Sequence, residues 1–493
     1  MGIIIQQSIK NSIISYFGIV LGFITTIKLF PNILTEDEFG LTRVMIAIVT
    51  LASQFVNFGL PNTIVKFYPE LKDIVAKPNT LFWLFSLPPL FVFVIVGVFF
   101  IFFKPTLVNI FSDNNILFEH YYYLLIPLLF SVSAFGLVTS ILKSNYNTVL
   151  PSFLQDVCLR IVTMVSLFLF FFKWITFKEF MLLFICNYLL QYLILFIYAL
   201  TKKFIIFDFP CKIIDKNLLK KLCTYSIYSF FGGITMILVG NIDLIMVSTF
   251  EGLSKTSIYS IAIYIGSVIA IPRKSIAKIT LPVLAESYKR NDFANIKLIY
   301  RETSLNLLLL GLLIFIGIVA NINNIYAFMP EAYSKGIFVI IALGCAYLFN
   351  MSTGANGQII ITSSFYRFDF YSSVVLILLT IGLNLLLIPR FGINGAAFAT
   401  AISICVHNLI KLIYVWIKLK IQPFSINQIW LVLISIVILY SSFQIEELDN
   451  FYLDIIIRSI SISFIYILAV RILNLSKRFN QIIDLLFARL LKL

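Results

Sequence analysis

Arg160 is the cation that the sequence places deepest in an apolar block. It stands about ten residues into the run 151–172, with Asp156 four positions earlier. A cation near the centre of a bilayer costs about 2.5–3.5 kcal/mol on insertion scales, so such groups face a helix-bundle interior or water. Two chemistries fit: an i, i+4 ion pair with Asp156, or a fixed positive charge for an anionic ligand. The stretch "IPRKSIAKITLP" (271–282) repeats the theme with Arg273, Lys274 and Lys278 behind a helix-kinking Pro272. These cations either snorkel to the membrane surface or line a basic vestibule, which Lys66 at the end of an earlier block would face. In "GNIDLIM" (240–246), Asp243 and Asn241 could hold a coupling cation or cap a helix end. Gln54, Asn57 and Asn408 could bond sugar hydroxyls or bridge helices. Lys28 and Arg43 flank the first outer loop as interfacial anchors.

The residue types for hydrolytic or phosphoryl chemistry are missing. No GxxxxGK[ST], HExxH or GxSxG motif occurs. The two histidines, His120 and His407, fall on opposite predicted sides, and the six cysteines form no CxxC pair. We expect no enzyme, no metal and no cofactor. Disulfides are not expected, because no cysteine falls in an outer loop.

The elements that position these residues are membrane spans. The 493 residues are 60% hydrophobic and 12% charged, with a mean hydropathy of +0.99, too little polar surface for a soluble chain. Apolar blocks run over about 8–30, 41–62, 80–103, 119–142, 151–172, 177–200, 223–246, 256–281, 303–321, 334–358, 369–388, 393–417, 426–443 and 452–472. Each is long enough to cross as a helix, the form that pairs its own backbone groups in lipid. The first is too long for a cleaved signal. The reading is an all-α integral membrane protein with about 14 transmembrane helices.

The +14 net charge would suit a nucleic-acid partner, but its distribution does not. With 14 spans, 28 of the 37 Lys and Arg fall on one side, which also holds both termini. Acidic loops such as "TEDEFG" (35–40) and "EELDN" (446–450) fall on the other. The bias is an orientation signal that places both termini in the cytoplasm.

The chain is written twice. "SIISYFG" (12–18) and "SIYSFFG" (226–232) share Ser, Ile, Ser, Phe and Gly at an offset of 214, and Pro69 and Pro282 repeat at 213. Six spans per repeat give both copies the same topology. We expect two six-helix lobes related by a pseudo-twofold along the membrane normal, with a cleft between them. The resulting division is 1–204 (first lobe), 205–222 (basic cytoplasmic connector), 223–420 (second lobe), 421–472 (two further spans) and 473–493 (tail). In the tail, Phe479, Ile482, Ile483, Leu486, Phe487, Leu490 and Leu491 keep helical spacing, as in a helix lying on the inner leaflet. The basic 284–301 stretch is similar but less regular.

The run "LNLLLIPRFGINGAAFATAIS" (383–403) breaks the grease with Pro389 and Gly392, a turn at the outer interface with Arg390 as anchor. Its part "IPRFGINGAAFATAIS" (388–403) resembles the start of span 12 in Wzx-type polysaccharide flippases of the multidrug/oligosaccharidyl-lipid/polysaccharide exporter superfamily. "EFG" (38–40), "FGLPNTIVKFYPEL" (58–71) and "NIDLIMVSTFEGLSKTSIYSIA" (241–262) resemble other segments of that family. The resemblance implies a MATE-like fold with two extra C-terminal helices. It implies flipping of an undecaprenyl-diphosphate-linked oligosaccharide across a bacterial inner membrane by alternating access, for O-antigen, capsule or exopolysaccharide synthesis. It makes Arg160, Arg273 and Lys278 cavity cations and Asp243 the family's span 7 aspartate. Partners would be the lipid-linked glycan, membrane lipids and polysaccharide polymerase machinery, with a proton or sodium gradient as the energy source. A lipid II flippase, a cation-coupled multidrug antiporter and an O-antigen polymerase or ligase are the rival readings. The antiporter fits less well because span 1 has no Asp or Glu, and the polymerase because no long outer loop is present.

The orientation is directly testable. Green fluorescent protein fused after Leu493 should fluoresce, and alkaline phosphatase inserted at Asp449 should be active; the opposite pattern would invert the topology.

Overall fold

The computed structural model describes residues 2–74, 78–111, 116–205, 216–446, 448–481 and 484, and these are helical with no strand among them. The main helices are α1 (Gly2–Phe23), α2 (Glu36–Asn57), α3 (Leu60–Ile74), α4 (Pro78–Phe102), α5 (Leu125–Ser144), α6 (Leu159–Phe171), α7 (Phe177–Thr201) and α8 (Lys216–Ser267). They continue with α9 (Ile271–Lys289), α10 (Phe293–Ala320), α11 (Ile337–Ser352), α12 (Asn356–Thr362), α13 (Arg367–Leu419), α14 (Ile426–Ser442) and α15 (Phe451–Ile472). Eleven helical stretches are long and apolar enough to cross a membrane, fewer than the fourteen blocks. Two of the eleven are 53 residues long. Non-helical backbone at Gly252 in α8 and Gly392 in α13 breaks them, and α14 is too short to pass the same test.

The chain divides into two compact units, Met1–Ser257 and Ile258–Leu493. The expected lobe boundary was the connector 205–222, of which 206–215 lie outside the described residues. Within the first unit the start of α8 is seated on the end of α2. There the chain leaves α2 through Phe58 and Gly59, both with positive φ (39° and 73°). Ser226 donates to the Phe58 carbonyl at 2.6 Å, and Asn62 donates to Ser229 at 2.9 Å. Phe58 and Phe230 stack at 4.6 Å. Both serines are landmarks of the duplicated sequence.

In the first unit α5 is the hub, packed against α2, α3, α4 and α7. In the second α10 takes that place, packed against α9, α11, α14 and α15. The two extra C-terminal helices are therefore built into the second unit's core. Tyr466 of α15 donates to the Leu309 carbonyl at 3.0 Å, and Gln428 of α14 donates to Ser304 at 2.5 Å. The tail starts from the same place: Ser476 donates to Asn306, and Arg478 pairs with Glu302 at 2.6 Å. Phe479 packs on this core, while Ile482, Ile483, Leu486, Phe487, Leu490 and Leu491 of the expected stripe lie outside the described residues.

Local chemistry explains the helix ends. "TEDEFG" is not merely an acidic loop. Thr35 caps α2 by accepting from the Glu38 N–H at 3.3 Å, and Glu38 accepts from the Thr35 N–H at 2.9 Å. Three carboxylates in the first turn of α2 favour the positive end of its dipole. Thr176 and Glu179 form the same box on α7. Pro389 does not end its helix as expected. The helix runs through it, and the chain turns three residues later at Gly392 (φ 57°), where a positive φ favours glycine. Pro272 sits in the first turn of α9, immediately after a 3-10 turn at Val268–Ala270, so the expected kink falls just ahead of it.

Gly40 lies against the Leu253 carbonyl so closely that a Cβ would overlap it, and Ser254 donates to Glu36 beside it. Gly40→Ala should lower stability by about 1–3 kcal/mol through overpacking. Gly97→Ala, whose Cβ would meet nothing within 4 Å, should not. Thermal melts of the two purified variants check the contrast.

Candidate functional site

The ion pair expected between Asp156 and Arg160 does not form. A wide π-turn at Leu154–Cys158 interrupts the helix there, and α1 packs onto it. A Cβ on Gly18 would lie 2.9 Å from the Asp156 side chain and carbonyl. Asp156 accepts instead from Ser15 of α1 at 3.1 Å. Arg160, at the start of α6, is half-buried, and its buried Nη1 has no hydrogen-bond partner among the described residues. That N–H is a donor without an acceptor among the described residues.

The other first-unit candidates are mostly engaged within the protein. Asn57 is buried and donates to the Ser133 carbonyl of α5 at 3.2 Å, the helix-bridging role. Gln54 approaches its neighbour Ser53 at 3.5 Å. Lys66 is exposed, with its ammonium 3.9 Å from the Tyr225 ring and 5.3 Å from Phe67, a cation–π seat. Asn241 donates to the Ile237 carbonyl one turn back in α8. Asp243, two residues on, is 3% exposed. Arg43 spreads its guanidinium over Phe30 and Phe39, at 5.0 and 4.8 Å. An apolar cavity of about 260 Å³, lined among others by Trp83, Phe93, Phe130, Ser133 and Tyr192, holds none of these charges.

In the second unit the structure collects a cluster that the sequence reading did not assemble. Arg273 of α9 is half-buried, and its Nε is buried without a hydrogen-bond partner among the described residues. Lys274 is exposed beside it, and the Lys278 side chain lies outside the described residues. Arg273 and Lys411 of α13 bear electrostatically on each other and on His407, one turn before Lys411. Lys411 is 8% exposed and pairs with Asp369, at the other end of α13, at 2.7 Å. The His407 Nε2 is also buried without a partner among the described residues. Gly357 of α12 closes the site, where a Cβ would lie 3.8 Å from the Lys411 ammonium. The i, i+4 spacing of His407 and Lys411 was the available signal.

A second buried charge pair has a different character. Arg458 of α15, 4% exposed, binds Asp454 through Nε at 3.0 Å and Nη2 at 3.2 Å. It also donates to the carbonyls of Ser442, Ile445 and Glu446. Asp454 in turn accepts from Asn324 and from the Leu448 N–H. This network is satisfied internally and holds the connection between α14 and α15, so it leaves nothing for a ligand.

Comparison with known proteins decides the family. A family model for polysaccharide biosynthesis proteins matches residues 4–288. The chain belongs to the polysaccharide biosynthesis protein family. It is 22% identical, over 90% of both chains, to an uncharacterized membrane protein of Methanocaldococcus jannaschii. Its fold is similar to that of the lipid II flippase MurJ in an inward closed conformation, with a TM-score of 0.72 and 16% identity. That match covers 94% of this chain and 98% of the other. It is also similar to an inward-facing multidrug resistance MATE transporter of the MOP superfamily, with a TM-score of 0.64 and 12% identity over 81% and 94%. The expected family and the MATE-like, all-helical fold hold. Eleven described helices long and apolar enough to cross a membrane make the chain a multi-pass membrane protein, and its fold is that of these flippase and transporter structures.

The two kinds of buried charge predict opposite responses. Arg458→Met strands Asp454 in the interior and should cost about 3–5 kcal/mol. Arg160→Gln removes a charge that no carboxylate among the described residues answers, so it should melt at or above the wild-type temperature. Melting curves of both variants in one detergent test the difference.

Proposed function

We propose that the protein flips a polyprenyl-diphosphate-linked oligosaccharide, on undecaprenol in a bacterial host, from the cytoplasmic to the outer leaflet of the inner membrane. The family supports the glycan pathway. The observation that carries the substrate class is positive charge without an internal counter-ion. Arg160 in the first unit and Arg273 in the second enter no ion pair among the described residues, and each keeps a buried N–H unpartnered. A diphosphate headgroup cannot enter hydrocarbon unaided. Fixed guanidinium groups replace its water with charge-assisted hydrogen bonds, while the polyprenyl tail stays in lipid.

Both termini lie in the cytoplasm on this reading, which follows the Lys and Arg bias. The headgroup is taken up where it is made and released on the other side by alternating access. Asp243 is the candidate for a coupling cation, drawn from a proton or sodium gradient, and the polymerase machinery would take the delivered unit.

Deleting the gene should abolish surface polysaccharide and accumulate its lipid-linked repeat unit on the cytoplasmic side. Wild type should restore export in that strain. Arg160→Gln, at equal membrane level, should restore tenfold less or worse. Normal surface glycan in a clean deletion would sink this reading. Rescue of a strain lacking its lipid II flippase would move the substrate to the peptidoglycan precursor.

A further inference from the structure

The cluster on α9, α12 and α13 contains more than Arg273 and has an occupant of its own. Arg273 and Lys411 bring two positive charges and Asp369 one negative, so one positive charge is left over. Two further polar groups, Arg273 Nε and His407 Nε2, are buried with no hydrogen-bond partner among the described residues. Next to Gly357, Asn356 is fully buried, and its Nδ2 also has no partner among the described residues. A surplus cation and the buried, unpartnered N–H groups of Arg273 and Asn356 are costly unless a ligand answers them. The complement is an oxyanion, which accepts several N–H bonds at once and neutralises the excess charge. Lys411 is the shared point, because its ammonium is already held by the Asp369 carboxylate at 2.7 Å.

We infer that Arg273, His407 and Lys411 form an anion site for a phosphoryl or diphosphoryl group, and that Asp369 occupies it as an internal stand-in until the ligand displaces its carboxylate from Lys411. The inference rests on the proposed flippase reading and adds a loading step to it. Asp369 opens the first segment of α13, and Lys411 lies near the end of the second, both at the ends assigned to the cytoplasm. The site is therefore placed where the substrate is made. The self-occupied pair keeps Lys411 neutralised when no substrate is present. The same competition returns the ligand, since the carboxylate retakes the ammonium as the anion leaves. No bond is made or broken; one carboxylate is exchanged for another oxyanion.

The experiment uses the full-length protein in nanodiscs, with binding of a fluorescent polyprenyl diphosphate in the lipid and of inorganic pyrophosphate in the buffer measured in parallel. Lys411→Met and Arg273→Gln should weaken binding about tenfold or more, the size of a lost charge-assisted bond. His407→Phe should weaken it less, and Arg273→Lys should retain part of it. Asp369→Asn should tighten binding about tenfold while slowing release. A merely structural ion pair predicts the reverse, with Asp369→Asn losing whatever Lys411→Met loses. Preference for the lipid-borne probe assigns the headgroup, and equal binding of pyrophosphate assigns a free anion at the same residues. Wild-type affinity in Lys411→Met, or loss of binding in a monodisperse Asp369→Asn protein, overturns the site. Glycan export in the deletion strain is scored separately, so a failed flippase reading and a failed anion site give different results.

Discussion

A charge held at membrane depth must be answered by another charge, by hydrogen bonds or by a ligand, and the ionisable residues of the spans sort themselves by which answer they receive. Arg458 receives all of its partners from the protein: a carboxylate one turn away, the carbonyl of Ser442 at the end of α14 and two carbonyls of the loop that follows. Lys66 and Arg43 receive aromatic faces. Lys411 receives one carboxylate and two cationic or polar neighbours. Arg160 and Arg273 receive no counter-charge among the described residues. The first two kinds belong to the scaffold, and the last kind is the charge on which the proposed headgroup binding rests.

The scaffold brings together segments that are far apart in sequence. The "EFG" turn meets the chain just after the Gly252 break, through Gly40 against Leu253 and Ser254 against Glu36. "FGLPN" meets the opening of α8 through Phe58, Asn62, Ser226 and Ser229. These are the segments that carry the family resemblance. Their sequence is constrained because the backbones approach too closely for a side chain at Gly40 or Gly59. Resemblance at these positions thus reports packing geometry, whereas the charges that would meet a substrate stand elsewhere.

The lengths of the apolar blocks made the all-helical membrane class of the fold legible in the sequence. Hydropathy is a one-dimensional signal, and crossing a bilayer is nearly a one-dimensional problem. What it could not show was the partner of each charge. Asp156 and Arg160 look like an i, i+4 pair only if the helix is regular, and the π-turn at 154–158 with Ser15 from a distant helix undoes that. Asp369 and Lys411, 42 positions apart, meet only because α13 folds back at Gly392. Gly392 makes the turn, as its place in the sequence suggests, while Pro389 stays within the helix.

The Asp454–Arg458 pair also has a consequence for biogenesis. Its two members lie one turn apart on a single helix, and the carbonyls that complete it belong to the last residue of α14 and the loop between the two helices. The guanidinium thus reaches the bilayer with its counter-ion in the same segment and most of its acceptors already synthesised. The final hairpin can leave the insertion machinery as an electrically balanced unit, and its docking on α10 through Tyr466 becomes a later step between two helices already at home in lipid.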